Sequence, residues 1–245
     1  MTSEPTVAFV HGAFADSSGW SPILSALDTA GMSVIAIPNQ LRGLSADANY
    51  VRSVLTSIEG PVVLVGHSYG GGVIGEAARG AENVSALVFV AAYILDEGES
   101  IASVLDPARF PGGLLGPDTT VERPFGNPNF PGGVDADLYI AAQHFAEVFA
   151  ADLPEDLARL MAFEQRPLSL SALTDVAAAR PAWHDLPCWA LVAEQDNAIP
   201  PTGQRWMANR AGAIIGTVAS SHAAMVSQPA AVTQTIIEAV EALGG

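Results

Sequence analysis

Val62-Val63-Leu64-Val65-Gly66-His67-Ser68-Tyr69-Gly70-Gly71-Gly72-Val73-Ile74 decides how this chain folds. Its first four residues form an apolar run typical of a strand buried on both faces, and Gly71-Gly72-Val73-Ile74 opens a helix. Between strand and helix sits a serine with a glycine two places away on each side, which lets the two elements approach without Cβ clashes. Gly-x-Ser-x-Gly is a weak pattern by itself in a chain with 23 glycines. Its seat between an apolar strand and a helix start makes it an elbow that strains Ser68 and presents its Oγ at the carboxyl edge of a sheet.

The same alternation extends in both directions. Strand-like runs cover 6–10, 32–37, 61–65, about 86–92, 188–193 and 213–219. Helical faces lie between them. Trp20, Ile23, Leu24 and Leu27 repeat at i, i+3, i+4, i+7, with Ser21 as N-cap and Pro22 as the first helical residue. Tyr50, Val51, Val54, Leu55 and Ile58 form a second face, and Val232, Ile236, Val240 and Leu243 form the last. Repeated strand-helix-strand units require crossovers of one hand, so the pattern predicts an α/β fold with a doubly wound, mostly parallel sheet of about six strands.

From 96 to 185 the rhythm breaks, with Phe110-Pro111-Gly112-Gly113 and Phe130-Pro131-Gly132-Gly133 followed by helical patterns. The expected organisation is a core of 1–95 and 186–245 with an inserted helical cap at 96–185. Within the cap, Pro154 sits in the first turn of a helix that places Leu157, Leu160 and Met161 on one face. The aromatic residues Phe125, Phe130, Tyr139, Phe145, Phe149 and Phe163 are candidates for an apolar pocket or for the cap's own core.

A chain of 245 residues, 49% hydrophobic and 15% charged, has a large core and is not disordered. The formal charge of −16 repels nucleic-acid phosphates and anionic membranes, so neither is an expected partner. Cys188 is the single cysteine, lies in a strand-like run and reads as packing, so no intrachain disulfide forms. Residues 1–5 lack a basic segment leading into an apolar one, and no apolar run nears the ~18 residues of a membrane helix. A cytoplasmic setting is expected, and a homodimer is compatible with the sequence.

A serine hydroxyl is a poor nucleophile until a neighbouring imidazole accepts its proton. Of five histidines, His222 stands in the loop after the last strand, at the same sheet edge as Ser68. His11 ends the first strand and is expected to hold that loop, His67 points away from its neighbour Ser68, and His144 and His184 belong to or flank the cap. The imidazole needs an acid to orient it, and Asp196 follows the strand at 188–193. Asp96, after the preceding strand, is its rival, and Glu194 comes too early. The oxyanion of acyl transfer needs two backbone N–H donors, expected from Tyr69 and from Ala13, with Phe14 an alternative to Ala13. No metal and no cofactor is called for.

Val10-His11-Gly12-Ala13 with Trp20, the Ser68 elbow, Asp196 with Ile199-Pro200, Gln204-Arg205-Trp206 and Ser221-His222-Ala223-Ala224-Met225 are in the order of landmarks of one family. Along its whole length the chain resembles the α/β-hydrolase superfamily, specifically the branch of plant methylesterases and hydroxynitrile lyases. The chain order Ser68, Asp196, His222 suits that fold. The lyases carry a threonine after the first-loop histidine and a lysine after the catalytic one, whereas this chain has Gly12 and Ala223. The resemblance therefore implies hydrolysis of small to medium, largely apolar carboxylic esters. The alternatives are a ligand-binding protein on a hydrolase scaffold, or a lyase of the same branch.

Overall fold

A computed structural model describes residues 4–244. The reading of 1–5 as free of an export signal lies partly outside the described residues. In chain order the strands are β1 (Thr6–Val10), β2 (Val34–Ile37), β3 (Val62–His67), β4 (Val84–Val90), β5 (Thr120–Gly126), β6 (Val134–Ile140), β7 (Leu168–Ser169), β8 (Cys188–Ala193) and β9 (Ile214–Val218). The α-helices are α1 (Ser21–Thr29), α2 (Leu44–Leu55), α3 (Tyr69–Ala77), α4 (Ala142–Phe149), α5 (Glu155–Glu164), α6 (Leu170–Thr174), α7 (Pro201–Arg210), α8 (Ala224–Ser227) and α9 (Pro229–Ala242).

Six strands form one sheet in the order β2-β1-β3-β4-β8-β9, and every neighbouring pair is parallel. Alternate residues of each strand feed opposite faces, and the central strands β1, β3, β4 and β8 are buried almost throughout. Val7, Phe9, Val63, Val65, Val88 and Leu191 pack under α1 (Ile23, Leu27) and α9 (Val232, Ile236). Ala8, Val10, Leu64, Leu87 and Phe89 pack under α2 (Leu44, Val51, Leu55), α3 (Val73, Ile74) and Met207 of α7. From β1 the chain crosses one face through α1 to β2, then returns across the other through α2 to β3. The loops leaving β1 and β3 therefore diverge, and an open α/β sheet binds ligands in the crevice made by such a reversal.

The first helix starts one residue earlier than its expected cap implies, at Ser21 rather than Pro22. A short 3-10 turn at Ser17–Trp20, capped by the Asp16 carboxylate on Ser18 N, precedes it, and Trp20 occupies the N-cap position without a side-chain bond. The insertion between β4 and β8 also departs from a purely helical cap. It contains α4, α5 and α6 and, in addition, an antiparallel sheet in the order β5-β6-β7. Phe130-Pro131-Gly132-Gly133 closes its hairpin, with Asn127 N–H donating to Gly133 O and positive φ at Gly132 and Gly133. On α5 the buried residues are Ala158 and Ala162; of the expected apolar face Met161 packs partly buried against the core, while Leu157 and Leu160 are exposed. No helix among the described residues is long and apolar enough to cross a membrane.

Candidate active site

Ser68 occupies the turn between β3 and α3 with φ 53° and ψ −124°, a conformation that costs a non-glycine residue of order 1–3 kcal/mol. The surroundings hold it there. Ser68 N–H donates to Val90 O at 3.3 Å, and Ser68 O accepts from Gly71 N at 2.9 Å and Tyr93 N at 3.1 Å. A Cβ on Gly70 would lie 2.5 Å from Val10 O, and one on Gly12 would lie 2.6 Å from Ser68 Cβ. The loop after β1 thus lies directly against the serine, and only glycine fits at either contact.

His222, in the loop after β9, donates from Nδ1 to Asp196 Oδ2 at 2.7 Å, with both side chains almost fully buried. Asp196 is held by more than the histidine. Its Oδ1 accepts from Ala198 N (2.7 Å) and Ile199 N (2.9 Å), and Oδ2 also accepts from Gln204 Nε2 at 2.7 Å. Gln204, on the first turns of α7, donates as well to Ile199 O and accepts from Ala193 N. It fastens the acid to the end of β8. Since the carboxylate can only accept, the proton on this imidazole sits at Nδ1, leaving Nε2 as the free base.

Ser68 and His222 open on the same cavity. Among the described residues no hydrogen bond joins their side chains. His67, expected to point in a different direction from Ser68, has its ring against the His222 loop. Its Nε2 donates to the backbone carbonyl of His222 at 3.0 Å, and its ring lies 4.7 Å from that of His222, with Trp20 and Phe149 around it. Burial, and then the neighbouring His222, hold His67 well below the usual histidine range, so it stays neutral.

Other titratable candidates lie elsewhere. Asp96 pairs with His184 Nε2 at 2.9 Å where that ring stacks on Trp183, and Glu194 pairs with Arg205. His11 fastens the β1 loop: Nε2 accepts from Asn39 N at 3.0 Å, while Nδ1 donates to Gly12 O at 2.9 Å. That arrangement requires the neutral ring, and burial lowers its pKa accordingly.

For the oxyanion donors, Phe14 N–H is committed to Arg166 O of the cap at 2.8 Å, whereas Ala13 N–H has no such partner among the described residues. Tyr69 is the first residue of α3, where helical N–H groups lack intrahelical acceptors. Its hydroxyl faces the other way and donates to buried Asp47 Oδ2 at 2.7 Å; burial and then that carboxylate keep the phenol protonated.

The cavity above Ser68 holds about 500 Å³ and is mainly apolar. Phe110, Leu115 and Leu138 of the cap and Phe149 of α4 line it, while Glu122 is its one carboxylate among the described residues. Phe149 also meets the His222 ring edge-on at 4.9 Å, and its carbonyl accepts from Ala223 N at 3.0 Å. Of the cap aromatics, Phe149 lines the cavity, Phe145 is buried against it, and Phe163 is exposed.

A model described as the alpha/beta hydrolase family matches residues 7–235. A carbendazim hydrolyzing esterase of Nocardioides sp. (strain SG-4G) is 34% identical over 115 residues, which cover 42% of this chain and 48% of that protein. Norfluorocurarine synthase 2 of Strychnos sp. is 26% identical across 98% of this chain and 97% of its own. Among solved structures, a methylesterase from Arabidopsis superposes with a TM-score of 0.77 at 18% identity, covering 97% of this chain and 99% of that one.

Proposed function

Since this chain belongs to the alpha/beta hydrolase family, we propose that it hydrolyses carboxylic esters through an acyl-enzyme on Ser68. Ser68 Oγ attacks the ester carbonyl as His222 Nε2 takes its proton, and Asp196 stabilises the imidazolium through Nδ1–H. The tetrahedral oxyanion is met by the N–H groups of Tyr69 and Ala13, since Phe14 N–H is engaged with Arg166. The intermediate collapses, the alkoxide leaves with the proton from His222, and water activated by the same imidazole releases the acid. The observation that carries the reading is the 2.7 Å bond from His222 Nδ1 to a carboxylate held by three further donors, beside a strained serine in the same cavity.

The mainly apolar lining favours small to medium, uncharged acyl and alcohol groups. The deciding experiment is hydrolysis of short-chain 4-nitrophenyl esters together with fluorophosphonate labelling read by mass spectrometry. Wild type should turn over steadily with the label on Ser68, and Ser68→Ala should lose on the order of 10⁴-fold or more in kcat. Equal rates in both proteins, or label on another residue, would overturn the proposal.

A further inference from the structure

The cavity carries one neutral donor that the hydrolytic mechanism leaves idle. Tyr93 is buried beside Ser68 and His222 in its wall, and among the described residues its hydroxyl makes no hydrogen bond. The other wall hydroxyls outside the mechanism are engaged: Tyr69 with Asp47, and Thr120 with Gly116 O at 2.9 Å. Buried tyrosine hydroxyls almost always find a partner, so one facing an apolar chamber without one is a place for a ligand's acceptor.

Its position is fixed against the nucleophile. Tyr93 N–H donates to Ser68 O at 3.1 Å, and Tyr93 O sits so near α3 that a Cβ on Gly71 would come within 2.3 Å of it. Burial, and then the charge of Asp196, drive the phenol's pKa upward, so it is a donor at every working pH.

Resting on the esterase reading above, we infer that the Tyr93 hydroxyl is a specificity-determining group, selecting esters that carry a hydrogen-bond acceptor close to the scissile carbonyl over alkyl isosteres. A site with a buried polar group discriminates against an analogue that leaves that group unpaired more strongly than an apolar wall discriminates a methylene.

The test uses wild type and Tyr93→Phe, which keeps the ring and removes only the hydroxyl. Two isosteric pairs are compared: 4-nitrophenyl methoxyacetate with 4-nitrophenyl butyrate for the acyl side, and 2-methoxyethyl acetate with butyl acetate for the alcohol side. Taking the ratio within each pair for both proteins cancels the intrinsic reactivity of the esters. In at least one pair, Tyr93→Phe should lower kcat/KM for the ether ester about five- to tenfold more than for its alkyl partner. An equal change in all four esters would overturn the inference and leave Tyr93 a packing residue. If wild type cleaves none of the esters and Ser68 takes no label, the hydrolase reading itself fails. Calorimetric binding of the same pairs to Ser68→Ala, with and without Tyr93→Phe, then decides the Tyr93 claim: an ether preference lost with the hydroxyl supports it, and no preference overturns it.

Discussion

Gln204 is tied to Asp196 Oδ2, Ile199 O and Ala193 N, and removing it releases the acid that orients His222. Gln204→Leu should cost about 1–3 kcal/mol of stability in urea titrations, because buried partners lose their bonds. Its kcat should fall about tenfold with little change in KM, since the substrate cavity does not include this side chain. Two buried neutral histidines, His11 and His67, set the acid response. Both have pKa values below the ordinary 6.5, so the unfolded chain binds protons that the folded one refuses. Their contribution to stability is complete well above pH 6.5 and is lost progressively as pH falls through that value and below it. Urea titrations between pH 7.5 and 5.5 should show stability falling as pH falls, and His67→Gln should make that fall shallower; an unchanged profile would refute the assignment. The positions of Ser68, Asp196 and His222 at sheet edges were legible in the sequence because each follows an apolar strand. The role of His67 was not, since a ring that folds back beneath a loop 155 residues away has no local signal.

At the scale of elements, the elbow depends on contact between backbones. Gly70→Ala would press a methyl into Val10 O at 2.5 Å and force β1 away from α3. The variant should lose on the order of 3 kcal/mol or more, visible as a depressed melting temperature or as insoluble expression. The six core strands could be read from the chain because a parallel sheet covered on both faces leaves long apolar runs. The cap hairpin could not be read so directly. In β5, Thr120-Val121-Glu122-Arg123-Pro124-Phe125-Gly126 is largely exposed and contains a proline, which hides any alternation. β6 does carry a signal, with Ala136, Leu138 and Ile140 inward at period two, and it was obscured by aspartates at 135 and 137. On α5 the leucines suggested a face turned too far outward, because Ala158 and Ala162, with Met161 beside them, meet the neighbouring chain.

Across the whole molecule, core and cap are tied at points close to the chemistry. Arg42, in the loop leading into α2, bonds Asp137 of β6 at 2.5 Å, and the Phe149 carbonyl holds Ala223, the residue after His222. The third tie is Phe14 N–H to Arg166 O, which fastens the loop after β1 to the cap by main chain alone. On the proposed function, the segment that lines the cavity is therefore also scaffolding for the oxyanion loop. A chimera that replaces 96–185 with the insertion of a homologue should change kcat on every ester tested, including those small enough to ignore the new walls, and the size of that common loss measures how far Ala13 has drifted. On the proposed function, a new insertion that keeps the carbonyl at position 166 in place should change selectivity without that common loss.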